Sequence, residues 1–288
     1  MTTILDALQK GTDYFEKHGV ESARLNMQHL LAHVRRCDRM ALYTSFDDQL
    51  YEDELEKLRE LMRSRVSGKP LQHLVGTVDF LEHEFKTDAR ALIPRPETEE
   101  LAALLLEMDW AESVRVLDVG CGSGVLGLSL AAGLEEDSET VAVTLADISP
   151  DALALAQENA EKLGLLPENS SLQFLESDLF SAIEGEFDLI VANLPYISQA
   201  DMATLSAEVK HDPELALVGG PSGTEIMEKF LAGLPEFLAP DGLAALEFGL
   251  GQEQLLEACA QRIGFNETEI VKDITERARF LLVRNGSE

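Results

Sequence analysis

Apolar residues recur along the first third of the chain at the spacing of one helical face. Met27, Leu30, Leu31 and Val34 follow i, i+3, i+4, i+7, and Leu55, Leu58, Leu61 and Met62 repeat the pattern. MTTILDALQKGTDYFEKHG at the start reads as a further short amphipathic helix and lacks the basic-then-apolar layout of a signal peptide. Ser22 is the expected N-cap of the helix after it. Residues 1–75 therefore read as a small helical bundle, with Arg35, Arg36 and Arg39 on a solvated face or, as the alternative, a partner-binding patch. The period then changes to alternation in GTVDFLEHEFKTDARALIP, which predicts an extended hairpin linker over 76–95.

From residue 96 to 288, strand-type and helix-type patterns alternate. Strands are expected at 114–120, 141–147, 172–177, 187–193 and 243–249, and the best-marked helix at 150–163. Ser149 caps that helix, Pro150 opens it and Gly164 ends it. Such alternation implies a parallel sheet covered on both faces. Two last strands, 268–274 and 278–284, are separated by three residues, which permits a hairpin but no parallel crossover. The expected fold class is α/β, with a seven-stranded, mostly parallel sheet and an antiparallel last strand, the arrangement of class I methyltransferases.

Charge narrows the partners. The chain carries 53 acids and 23 bases, a net charge of −30. Residues 1–80 hold 11 basic and 13 acidic side chains, so −28 falls on residues 81–288. A surface that acidic repels phosphate backbones, and free nucleic acid is not an expected substrate. No apolar run reaches the roughly 18 residues of a membrane span. Three scattered cysteines and six histidines offer neither a disulfide framework nor a metal site. A cytoplasmic, metal-free enzyme or binding protein, acting as a monomer, is expected.

The strand at 114–120 runs into DVGCGSGVLG. Gly120, Gly122 and Gly124, with Cys121 and Ser123 between them, form a turn at which a ligand can approach the backbone. The same stretch is also a literal G-x-G-x-x-G of the dinucleotide type. Asp147 ends the next strand, where a carboxylate can accept from both hydroxyls of an adenosine ribose. NAD and S-adenosylmethionine both carry that ribose. Asp178, after the third strand, is placed to accept from an adenine amino group, and Leu179 to pack on the ring. The fourth strand ends in Asn193, Leu194, Pro195 and Tyr196. A dehydrogenase has no use for that sequence, whereas transfer of a methyl group to a planar nitrogen has. The Asn193 oxygen and the Leu194 carbonyl can accept from the two N–H bonds of an amide, Pro195 stiffens the turn, and Tyr196 can lie against the substrate plane and a sulfonium methyl.

With these residues the chain resembles the HemK/PrmC family, the glutamine N5-methyltransferases of peptide chain release factors, over nearly its whole length. The family's Asn-Pro-Pro-Tyr corresponds to Asn193–Tyr196, its glycine loop to DVGCGSG, its linker signatures to RVSGKPLQHLVG and LIPRPETEEL, and its Glu-x-Gly to LEFGLGQ. The resemblance implies S-adenosylmethionine as cofactor, lined by Gly120 to Gly124, Asp147, Leu179 and Asn193. It implies the glutamine of the Gly-Gly-Gln loop of class 1 release factors as target, with residues 1–75 holding that partner. Leu194 departs from the family's first proline, and the glycine of the family's last hairpin is missing from DITERARF. Methylation of adenine or guanine amino groups in nucleic acid, a docking role without catalysis, or, from the glycines alone, a Rossmann dehydrogenase that leaves NLPY and LIPRPETE unexplained, are the competing readings.

Overall fold

The computed structural model describes residues 2–134, 138–164 and 171–286. The chain divides into two compact units. One comprises residues 1–77 with Ser206–His211, the other Val78–Leu205 with Asp212–Glu288.

The first unit contains α1 (Ile4–Lys17), α2 (Ala23–Arg35), α3 (Glu52–Val66) and α4 (Leu71–Val75). Its core gathers Ile4, Leu8, Phe15, Met27, Leu30 and Leu31. Thr3 caps α1 through a reciprocal box, Thr3 Oγ1 accepting from Asp6 N and Asp6 Oδ2 from Thr3 N. Ser22 precedes α2 as expected but provides no cap. It lies in the left-handed region (φ 49°), and its side chain accepts nothing from the helix. Instead the Asn26 amide donates back to the carbonyls of Glu21 and Ser22. The buried Arg65 of α3 donates to Asn26 Oδ1 (2.7 Å) and pairs with Glu208, on the late segment counted with this unit.

The second unit opens with a hairpin, β1 (Thr77–Phe80) and β2 (His83–Lys86), followed by an irregular stretch and α5 (Pro96–Leu106). Alternation follows: β3 (Ser113–Val119), α6 (Val125–Leu134), β4 (Thr140–Asp147), α7 (Pro150–Leu163), β5 (Ser171–Glu176) and β6 (Phe187–Asn193). A small pair, β7 (Ile197–Ser198) and β8 (Val218–Gly220), leads into α8 (Glu225–Phe237), β9 (Leu238–Glu247), α9 (Glu253–Ile263), β10 (Glu267–Lys272) and β11 (Ala278–Arg284).

The sheet order is β10-β11-β9-β6-β3-β4-β5. The last strand β11 is antiparallel to both neighbours, and the other pairs are parallel. The side-chain period of two divides the core. Val114, Val116, Leu189, Val191, Leu243 and Ala245 pack with α5, α6 and α7, whereas Leu117, Val119, Ile190 and Ala192 pack with α8 and α9. By the same parity Asp118, Asn193 and Glu247 belong to the α5 side, at the carboxyl ends of three adjacent strands. Asn193 and Glu247 are direct register partners.

Strand β9 starts five residues before the expected position. Leu238 pairs with Phe187 and Leu243 with Leu189, so Pro240-Asp241-Gly242 is absorbed as a bulge and does not end the strand. The helix at 150–163 forms with its expected signals, Ser149 Oγ accepting from Ala152 N (3.2 Å). Glu276 (φ 63°) takes the left-handed position in the turn between β10 and β11, where the family's glycine is missing.

Candidate active site

The carboxyl ends of β3, β4 and β6 open onto a cavity of about 280 Å³ within the second unit. The glycine loop forms its floor, because β3 must turn within the five residues 120–124 into α6. Gly120 has φ 73°, a conformation a side chain would strain, and a Cβ there would meet Leu194 Cδ2 at 2.9 Å and displace that side chain. Gly124 serves differently. A Cβ there would approach Ala156, Leu128 and Leu145 at 3.0–3.2 Å, so it allows α6 to pack on the sheet.

The cavity brings together most of the residues singled out in the sequence. Gly120, Cys121, Gly122, Ser123, Asp147, Asp178, Leu179, Asn193, Leu194 and Pro195 all line it. Gly124 and Tyr196 lie outside that lining. Gly124 is turned to α7, and Tyr196 packs against the core on the α8 side. The backbone of Tyr196 is held in place by Gln252, which donates from Nε2 to Tyr196 O (3.0 Å) and accepts from Gly249 N at Oε1 (2.9 Å). Burial and the Glu247 charge push the Tyr196 phenol up to about 12, so it stays neutral.

Asp147 braces the loop. Its Oδ2 accepts from Gly122 N and its Oδ1 from Ser149 N, both at 2.8 Å. Each oxygen retains a second lone-pair direction for a ligand hydroxyl. Desolvation outweighs these two bonds and raises its carboxyl above the usual range. Leu179 has φ 50°, a conformation that Ser177 helps to hold by donating from Oγ to Leu179 O (2.8 Å). Asp178 N donates to Ser181 Oγ in the same turn (3.1 Å). The Cys121 thiol is buried beside two carboxylates and lies well above its ordinary range, so it is no nucleophile.

Three further positions at or beside the cavity have no role assigned by the sequence alone. Asp118 is buried inside LDVG, its Oδ2 accepting from Gly127 N (2.9 Å), and burial raises its carboxyl to about 7. Thr98, in the first turn of α5, accepts from Asn193 Nδ2 (2.8 Å) and donates to Glu247 Oε2 (2.6 Å). Glu247 is likewise raised to about 7 by burial, and Glu97 adds to the shift. LIPRPETEEL and LEFGLGQ contain the last two, but nothing in either stretch signals their meeting. The wall over the cavity comes from residues 90–95. Arg95 pairs with the fully buried Asp212 (2.8 Å), and Asn159 clasps Lys86 through N–H and carbonyl and donates also to Ser123 O (2.9 Å).

This chemistry separates the two adenosyl cofactors. A dinucleotide needs free amides at the start of the helix after the glycine loop, to receive its pyrophosphate. Here the Gly127 amide is taken by Asp118, and Asp118, Asp147 and Asp178 all line the cavity. Acidic side chains in the lining disfavour a pyrophosphate and suit the sulfonium and ammonium groups of S-adenosylmethionine. Fold and cavity define a class I S-adenosylmethionine-dependent methyltransferase.

The PrmC N-terminal domain family matches residues 6–76, and the methyltransferase small domain family matches residues 99–212. A release factor glutamine methyltransferase of Deinococcus radiodurans is 37% identical, over 98% of this chain and 99% of its own. That of Rhodopirellula baltica is 36% identical, over 99% and 97%. The chain belongs to the release factor glutamine methyltransferase family. A solved methyltransferase from Pyrococcus furiosus shares the fold, with a TM-score of 0.53 and 15% identity over 82% of this chain and 100% of that one. Among the described residues no group of three or more His, Cys, Asp or Glu is placed to hold a metal ion, and no helix is long and apolar enough to cross a membrane.

Proposed function

We propose that this chain methylates the side-chain amide nitrogen of the glutamine in the Gly-Gly-Gln loop of class 1 release factors, with Asn193, Leu194 and Pro195 gripping that amide and Tyr196 packed behind them against the core. The observation that carries this reading is the orientation of Asn193, whose Nδ2 is tied to Thr98 so that Oδ1 is left for a ligand in the cavity.

An amide nitrogen is a weak nucleophile, because its lone pair is delocalised into the carbonyl. Bound S-adenosylmethionine supplies a methyl group made electrophilic by its sulfonium. The protein supplies position and charge. Asn193 Oδ1 and the Leu194 carbonyl accept from the two N–H bonds of the glutamine, fix its plane and favour the positive charge that grows on nitrogen. Asp147 takes the ribose hydroxyls, Asp178 the adenine amino group, and Leu179 the ring face. Gly120, Cys121, Gly122 and Ser123 of the glycine loop would hold the methionine portion. The Leu194 side chain, packed at Gly120, keeps the carbonyl in place without the ring of the family's proline.

The helical unit is the docking module for the factor. The acidic second unit favours a protein over free nucleic acid.

The test is mass spectrometry of a purified class 1 release factor after incubation with the protein and S-adenosylmethionine. One methyl group is expected on the glutamine of the Gly-Gly-Gln peptide, and methyl on any other residue would overturn the assignment. Asn193→Ala is expected to lower turnover by on the order of 10²–10³, as loss of one preorganised polar group does, with a much smaller change in cofactor affinity.

A further inference from the structure

We propose that Thr98 and Glu247 form a relay that fixes the Asn193 amide with its oxygen toward the cavity, so that both are positioning residues for methyl transfer. The proposal rests on the reading of Asn193 as the group that grips the target amide.

An asparagine side chain is nearly symmetric in shape, and only its partners decide which end faces where. If it turned over, its NH2 would meet the N–H bonds of the target, donor against donor. The relay prevents this. Glu247 ends β9 directly opposite Asn193 on β6, and Thr98 on α5 bridges the two. An ionised Glu247 can only accept, so the Thr98 hydroxyl spends its one proton on Oε2 at 2.6 Å. Toward Asn193, Thr98 Oγ1 is then an acceptor only, and it must receive Nδ2 at 2.8 Å. The oxygen is left facing the site.

The polarity of the chain depends on the charge of Glu247. Once protonated, Glu247 can donate to Thr98, whose own proton becomes available to Asn193, and the constraint is gone. The groups facing Glu247 are Thr98 and Glu97 on α5, Arg95 before it, Tyr196 after β6 and Arg279 on β11. Glu97 opposes ionisation, and Arg95 and Arg279 favour it.

The test measures kcat, the KM for a release factor and the Kd for S-adenosylmethionine, from about pH 5.5 to 8.5, the range that brackets a carboxyl titrating near neutrality. Thr98→Val keeps the shape and removes the hydroxyl. We expect kcat to fall on the order of ten- to a hundredfold, as losing an outer-shell partner commonly does, with cofactor Kd little changed. Thr98→Ser restores the hydroxyl and recovers most of the rate. Glu247→Gln, which can donate at every pH, lowers kcat and removes its rise through neutrality. A wild-type kcat in Thr98→Val overturns the relay, and so does a Thr98→Ser variant as slow as Thr98→Val, since packing would then explain the loss. Glu247→Gln retaining the wild-type pH profile overturns it independently, should Thr98→Val fail to fold. If Asn193→Ala itself turns over normally the underlying grip is wrong, whereas a slow Asn193→Ala beside a normal Thr98→Val condemns the relay alone.

Discussion

Replacing Asp147 by asparagine separates two jobs that one carboxylate performs. Both oxygens already accept a backbone N–H, from Gly122 and Ser149, each at 2.8 Å. Asparagine can accept from only one of these and must turn an NH2 against the other. The lost charge-assisted bond is worth about 1.5–3 kcal/mol. Because burial raises the Asp147 carboxyl, the neutral amide also removes a desolvation cost, which offsets part of that loss in the cofactor-free protein. A destabilisation of about 1–2 kcal/mol is therefore expected in the absence of cofactor. Binding has no such offset, since the ribose also loses one charged acceptor. A further 1.5–3 kcal/mol corresponds to roughly a ten- to hundredfold rise in the Kd for S-adenosylmethionine. Asp147→Ala removes both acceptors and is expected to bind about 10²–10⁴ times more weakly. Calorimetry gives the Kd, and denaturant unfolding without cofactor gives the stability. An Asp147→Asn protein with wild-type Kd would refute the ribose role, and wild-type stability would refute the loop brace.

The carboxyl groups of Asp118 and Glu247, both held at about 7, have folded pKa values above the unfolded range of about 4. Their contribution to stability is thus complete below about pH 4 and lost as pH rises through about 7. Asp118→Asn is expected to match wild type in urea unfolding near pH 4 and to exceed it near pH 8 in cofactor-free protein, and an equal difference at both values would contradict the assignment. Asn159 is fully buried and makes three hydrogen bonds, to both backbone groups of Lys86 and to Ser123 O. Asn159→Ala should cost about 2–3 kcal/mol in urea unfolding, because it strands the buried Ser123 carbonyl and frees the two half-buried backbone groups of Lys86, and it should weaken cofactor binding as the wall at 90–95 loosens. A loss below about 1 kcal/mol would show that the clasp carries little.

The seven strands of the sheet, the glycine loop and the Asn193 segment were legible because each is written in contiguous residues. Period-two apolar runs, a positive-φ turn and a strand ending in Asn-Leu-Pro-Tyr need no distant partner to be recognised. What stayed hidden needs the fold. Thr98 and Glu247 lie 149 positions apart and meet only through the register of β6 on β9. Asp118 sits in a run that reads as plain buried strand, and only the parity of the sheet shows that it points beneath α6. Ser22 carried the composition of a cap without the backbone angle, and Pro240-Asp241-Gly242 the composition of a terminator inside a bulged strand. Local chemistry proposes, and tertiary pairing decides.

The six residues Ser206–His211, counted with the helical unit, bear on how the protein is made. During synthesis α1 to α4 leave the ribosome first, with every helix needed for their core. Arg65 must nevertheless wait for Glu208, which follows only after the glycine loop and the first four strands of the sheet have been translated. Until then the guanidinium keeps Asn26 Oδ1 and the Lys69 carbonyl but has no carboxylate. The helical unit is therefore born complete in its apolar core and incomplete in its charge. Its full stability arrives late, with a stretch encoded between β7 and β8. A nascent chain stalled before residue 206 should accordingly unfold at lower force than the same helices in the finished protein.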